Sequence, residues 1–218
     1  MKPLIILDAG HGGLNSKGDY VTDPHKRQDF NPYQINEGVL NRAVVYGLSL
    51  QLDFRGINNF VITSNDDDTL VDRCRCANAV AKGRSAFFLS IHHNSFTDSS
   101  VTGTEFFTYE GYTPESDKIA QWAGKMFSMH YDHKALSMPD FRKLRIDKTA
   151  LHLDEHQAYY KKANFAVLRA TTMPAVLSEW GFMSNKNEFD YIASPKGIND
   201  QIRFWLHVIE AAMHNKYI

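Results

Sequence analysis

The sequence predicts an α/β fold: a single domain built on a mixed, mostly parallel twisted sheet of about six strands, flanked by helices on both faces. Three observations predict it. Apolar runs of strand length appear at 3–10 (PLIILDAG), 58–65 (NNFVITSN), 85–94 (SAFFLSIHHN), 103–109 (GTEFFTY), 164–169 (NFAVLR) and 174–181 (PAVLSEWG). Several are continuously apolar and rich in β-branched or aromatic residues, as strands covered on both faces are. Helical patterns lie between them, and early alternation of strand with helix is the mark of a sheet layered by helices.

The first run passes through Asp8 and Ala9 into His11, which stands among Gly10, Gly12 and Gly13. Glycine opens backbone conformations closed to other residues and lets other groups come close. Such a loop either aims an imidazole at something or is a tight turn with an incidental histidine. The segment GLNSKGDYVTDPHKRQDF is polar and longer than a minimal turn; it reads as a loop beside the strand ends, with His25 exposed.

The next helix takes Asn31 as N-cap and Pro32 as first helical residue, a strong start signal. It then runs to about Phe54. At 100° per residue Gly38, Arg42 and Ser49 form a narrow polar stripe, whereas Glu37 shares the apolar face of Val44 and Leu48. A buried carboxylate without a partner is costly. Three readings remain: a salt bridge to an arginine, a helix that starts elsewhere, or a metal ligand near the helix start.

DRCRCANAV reads as a helix. Residues two apart on a helix point away from each other, so Cys74 and Cys76 are expected as free, packed thiols. Two cysteines without a second pair make no structural zinc site. Near the end of the chain Ile198, Ile202, Trp205, Ile209 and Met213 recur at helical spacing, a core-facing stripe.

The 218 residues are 43% hydrophobic and 22% charged, with a formal net charge of −1, as in a soluble globular domain. No basic run supports a nucleic-acid partner. Lys143, Arg145 and Lys148, and the pair Lys161 and Lys162, read as solvated surface. No run of 18 apolar residues predicts membrane insertion. The N-terminus enters the first strand without an export pattern, which sets the expectation of cytoplasmic synthesis without a signal peptide.

Chemistry gathers at the strand ends. SIHHNS places His92, His93 and Asn94 at the end of a buried strand, and PAVLSEWGFMSN places Glu179 at the end of another. In open α/β sheets, sites gather at the carboxyl ends of strands. Three strand ends and one helix start thus offer two histidines and two glutamates. Two histidines and one carboxylate with an open fourth position make a catalytic zinc set, and a separate glutamate can act as general base. Adjacent strand residues point to opposite faces, so only one of His92 and His93 can easily face a metal.

DAGHGG, the helical Glu37, SIHHN and VLSEWGFMSN resemble the zinc-dependent N-acetylmuramoyl-L-alanine amidases of the amidase-3 type. LVDRCRCAN resembles the family's Leu-x-x-Arg-x-x-x-Ala-Asn helix through Leu70, Arg73, Ala77 and Asn78. GTEFF resembles its Gly-x-Glu strand through Gly103 and Glu105. The resemblance covers nearly the whole chain. It implies one catalytic domain over residues 1–218 without a separate wall-binding domain. It further implies one Zn²⁺ on His11, Glu37 and His92, and catalysis by Glu179. The family usually has a small residue where His93 stands. His93 and Asn94 are candidates for a supporting layer, for substrate contact or for oxyanion donation. The implied substrate is peptidoglycan, cut at the amide between N-acetylmuramic acid and L-alanine. A monomeric phage lysin, released to the wall through a phage-encoded pore, is the implied setting. A zinc endopeptidase acting on cross-links and a non-catalytic wall-binding relative are the alternatives. LHLDEHQ also fits the inverted zinc motif H-x-x-E-H through His152, Glu155 and His156, on a polar helix at roughly 148–162. A chance match, or a border of the substrate groove, is the simpler reading.

Overall fold

The computed structural model describes residues 2–30, 33–62, 67–111, 113–131, 143–146 and 159–218. The motif His152–His156 lies outside them. The central sheet has six strands: β1 (Leu4–Ala9), β6 (Asn59–Ile62), β7 (Ala86–Asn94), β8 (Glu105–Tyr109), β9 (Lys161–Ala163) and β10 (Ala175–Phe182), in the order β6-β1-β7-β10-β8-β9. The first four in that order run parallel, and β8 pairs antiparallel with β10. Two short hairpins precede the first long helix: β2 (Gly13–Leu14) with β3 (Tyr20–Val21), and β4 (Arg27–Phe30) with β5 (Tyr33–Asn36). The segment read as a loop is therefore partly paired.

Helices α1 (Glu37–Phe54), α3 (Pro114–His130), α5 (Lys186–Ile192) and α6 (Pro195–His214) cover one face. Their apolar residues pack on Ile5, Leu7, Phe87, Leu89 and Trp180. Helices α2 (Leu70–Ala81) and the single turn α4 (Ala166–Arg169) cover the other, against Leu4, Ile6, Phe88 and Leu177. This parity is the period-two alternation of strand side chains. Thr69 caps α2 and Ser194 caps α6, each accepting a backbone N–H in the first turn, as N-cap hydroxyls do. Cys74 and Cys76 are free. Among the described residues no helix is long and apolar enough to cross a membrane.

The path of the chain opens a crevice at one end of the sheet. From β1 it crosses by α1 to β6 on one side, then by α2 on the opposite face to β7 on the other side of β1. The strand order thus reverses between β1 and β7, where such sheets hold their ligands.

Two expectations are corrected. The helix expected from Asn31 begins at Glu37, with Asn36 at its cap, because Tyr33–Asn36 pairs with Arg27–Phe30 instead. Residues 164–169 are not a strand. Lys161–Ala163 supplies the sixth strand and Ala166–Arg169 is a helical turn, with Val167 and Leu168 both buried on the same face of the sheet. A short apolar run does not by itself separate strand from helix.

Candidate metal centre

His11 leaves the end of β1 with φ 58° and Gly12 follows at φ 66°. This left-handed turn is unusual for a histidine, and it is held from several sides. Arg42 of α1 donates through Nη1 to the His11 carbonyl at 2.6 Å and through Nη2 to the Gly12 carbonyl. Asn41 Nδ2 donates to the Gly10 carbonyl at 2.8 Å, and Asp67 accepts from the Gly12 N–H at 2.7 Å. Beneath the turn, the buried Arg73 ties Asp8 Oδ1 and the Ala9 carbonyl, both at 2.7 Å. The polar stripe of Gly38 and Arg42 thereby faces the His11 turn. A Cβ on Gly38 would collide with the His11 carbonyl and the Tyr20 hydroxyl.

Glu37, in the first turn of α1, reaches over the sheet end. A carboxylate suits that position, since the helix dipole and free N–H groups favour negative charge. Its Oε2 lies 3.5 Å from His11 Nε2, and its Oε1 lies 3.1 Å from His92 Nδ1. The backbone N–H of His93 also donates to Oε1 at 3.2 Å. The His11 and His92 rings meet edge-on, 4.9 Å apart. The His92 ring lies against Gly10, where any Cβ would overlap it. One donor atom from each of His11, Glu37 and His92 falls within 4.8 Å of the others.

Electrostatics match the crowding. Burial lowers His11 to about 4, so it is neutral near pH 7. Burial alone would raise Glu37, but the His92 hydrogen bond and the charges of His92, His11 and Lys26 hold it at about 2. Burial opposes protonation of His92, yet the carboxylates of Glu37, Glu179 and Asp8 raise it above the ordinary value.

Glu179 pairs in register with His92 on one side and Glu105 on the other. Burial lifts its carboxyl to about 8, against the pull of His92 and with the help of Glu37 and Glu105. Its Oε2 is inaccessible and has no hydrogen-bond partner among the described residues. This orphaned oxygen beside two imidazoles and a carboxylate fits a site completed by a cation and a water. The donor set, N₂O with a fourth position open, is the one zinc takes in hydrolases.

His93 lines the cleft, but its side chain points to the opposite face from His92, where Nδ1 meets Asn41 Oδ1 at 2.7 Å and Nε2 meets the Gln201 amide at 3.1 Å. Burial holds it neutral, at about 4. Its imidazole anchors Asn41 behind Glu37. Asn94 stays on the cleft side, and its amide donates to Glu105 Oε2 at 2.8 Å.

His11 and Glu37 open into a cleft whose wall also includes His93, Asn94, Glu179 and Met183. His25, Lys26, Arg27 and Gln28 of the hairpin region form the facing wall, and His25 is exposed. Sequence reasoning misses the supporting layer of Asn41 and Gln201, whose only signal is a polar residue at a core position. It also reads Arg145, Lys161 and Lys162 as solvated surface. They are half-buried, the first two bound to Glu105 and the third to Asp117.

The chain is 29% identical over 214 residues to the N-acetylmuramoyl-L-alanine amidase AmiC of Neisseria meningitidis serogroup B, covering 88% of this chain and 48% of that protein. It is 28% identical over 203 residues to the endolysin of Bacillus phage SPP1, covering 92% of this chain and 62% of that protein. The chain spans about half the length of its AmiC relatives. The crystal structure of an N-acetylmuramoyl-L-alanine amidase from Clostridium difficile 630 shares the fold, with TM-score 0.73 and 22% identity over 99% of this chain and 98% of that one. A family model for N-acetylmuramoyl-L-alanine amidases matches residues 5–203, and the chain belongs to that amidase-3 family.

Proposed function

We propose that the chain is a peptidoglycan hydrolase that cuts the amide between N-acetylmuramic acid and L-alanine, with one zinc ion held by His11, Glu37 and His92. The observation that carries this reading is the meeting of those three donors with Glu179, whose Oε2 has no hydrogen-bond partner among the described residues, at the carboxyl ends of the strands. Zinc bound there supplies a Lewis acid that polarises the scissile carbonyl and acidifies a water. Glu179 takes the proton of the attacking water and returns it to the leaving amine. Glu37 is oriented by the His93 N–H and by Asn41, whose Nδ2 lies 3.3 Å from Oε1. Arg42 and Asn41 hold the turn that presents His11. The open cleft leaves room for a glycan-peptide strand.

Digested walls test the reading. The expected products are stem peptides with a new amino-terminal L-alanine, glycan whose muramic acid keeps its lactyl carboxylate, and no new reducing ends. A new amine on a cross-bridge residue or a diamino acid would make the protein an endopeptidase.

The phage-lysin setting draws support from the SPP1 endolysin relative. It predicts that protein expressed in a bacterial cytoplasm lyses the cell only when a membrane pore is co-expressed. Lysis without the pore would count against it.

A further inference from the structure

On the side of Glu179 away from His92, the sheet carries a second glutamate in unusual company. Glu105 of β8 lies directly across from Glu179 in the antiparallel register. The two side chains therefore share one face, with Cβ atoms about 5 Å apart. Glu105 is buried. Its Oε1 accepts from Arg145 Nε at 2.8 Å and from Lys161 Nζ at 2.6 Å, and its Oε2 accepts from Asn94 at 2.8 Å. Two cations thus serve the single carboxylate of Glu105.

Among the described residues, Arg145 gives Nε to Glu105 and Nη1 makes a 3.4 Å contact with the Thr102 carbonyl. Its guanidinium lies over the Phe182 ring, 5.3 Å from the centroid, which limits where it can swing. The Arg145 side chain keeps 36% of its exposure and Lys161 keeps 21%, against 6% for Glu105. The position is equally specific. Phe182 pairs with Asn94 at the carboxyl ends of β10 and β7, and Asn94 lines the same cleft as Glu179. Arg145 and Lys161 thus meet on Glu105, one strand over from the Glu179 that lines the cleft.

We propose that Arg145 and Lys161 form a carboxylate-binding subsite that reads the acidic second residue of the stem peptide. The inference rests on the amide reading above. With the muramyl–alanine amide at Glu179, the next residue along the stem is a γ-linked glutamate, whose α-carboxyl group is free or amidated. A partly exposed planar guanidinium and an adjacent ammonium favour the free carboxylate over the carboxamide. Glu105 is a positioning residue: it fixes both cations and does not touch the substrate.

The test compares two muramyl peptides that differ only in that group, carboxylate or carboxamide. Zinc-loaded wild-type protein is expected to cleave the acid with a kcat/KM about tenfold higher, chiefly through KM, the size of one charge-assisted contact. In Arg145→Gln and in Lys161→Met the ratio of the two substrates should fall towards one. Because the ratio is taken within each variant, a general loss of folding or metal lowers both substrates alike and does not mimic the effect. Equal rates on both substrates in wild type, or an undiminished ratio in both variants, would overturn the subsite. If wild type cleaves neither, the amide reading itself falls, and binding of the two free stem peptides by calorimetry decides the subsite. Tighter binding of the acidic peptide, lost in Arg145→Gln, keeps it; equal binding removes it.

Discussion

Adding one methyl group at Gly10 is expected to strip the protein of its metal while leaving its fold in place. Gly10 is not among the positive-φ residues, so alanine meets no backbone objection there. The space is the objection. A Cβ on Gly10 would fall well inside 3.0 Å of three atoms of the His92 ring. The backbone cannot yield, because the Gly10 N–H donates to the Ile91 carbonyl at 3.0 Å and its carbonyl accepts from Asn41 at 2.8 Å. The imidazole must therefore withdraw, by about 1.5 Å to reach ordinary contact. That is about three times the roughly 0.5 Å tolerance of a functional constellation. Zinc affinity should fall by about 100-fold, at the upper end of what disturbing a ligand's support does. The overpacking itself costs about 1–3 kcal/mol, which a domain of this size survives. Competition against a chromophoric chelator measures the affinity, and thermal unfolding of the metal-free proteins checks the fold. A folded Gly10→Ala protein with wild-type zinc affinity would refute the placement of His92 as a ligand against Gly10.

The other predictions concern roles. Removing divalent ions with a strong chelator should abolish wall lysis, and zinc should restore it; full activity in metal-free protein would sink the mechanism. Glu179→Gln should lower turnover by about 10²–10⁴-fold, the range of a general base, with zinc still bound, whereas Glu37→Gln should lose both. The reverse pattern, read by metal analysis, would exchange their roles. Arg42→Met leaves two carbonyls of the His11 turn without their donor, so zinc affinity should drop by about tenfold or more, and an unchanged affinity would mean the turn holds itself. His93→Ala should keep most of the zinc but lose about 2 kcal/mol of stability in denaturant unfolding, since Asn41 and Gln201 are left unsatisfied in the core; loss of the metal at full stability would contradict its place behind Glu37.

Strand ends announce themselves in sequence, and the residues that support them do not. His11, His92 and Glu179 each follow a largely apolar run, so local pattern and the strand-end rule are enough to single them out. Their partners come from far away. Asn41 is 31 residues from Gly10, Gln201 is 108 from His93 and Arg145 is 40 from Glu105. No periodicity links such pairs, because what joins them is the packing of α1, α6 and the 143–146 segment onto the sheet. Arg145 and Lys161 read as surface for the same reason: a lysine on a short strand looks solvated until the carboxylate it meets is placed on the neighbouring strand.

The true start of α1 changes the meaning of Glu37. Begun at Asn31, the helix places this carboxylate on an apolar face past its first turn, with no donors of its own, so a salt bridge and a metal are both plausible partners. Pairing of Tyr33–Asn36 with Arg27–Phe30 pushes the start to Glu37. The same carboxylate then sits at the helix N-terminus, where the dipole favours its charge, and the arginine of its own helix is turned away to the His11 turn. The hairpin also delivers α1 to the crevice between β1 and β7, opened by the reversal of strand order. A buried, ionised Glu37 at that point is left facing two imidazoles, and one carboxylate with two imidazoles is a donor set suited to a divalent cation. The hairpin that hides the helix start from sequence reasoning is thus what brings the third donor to the other two.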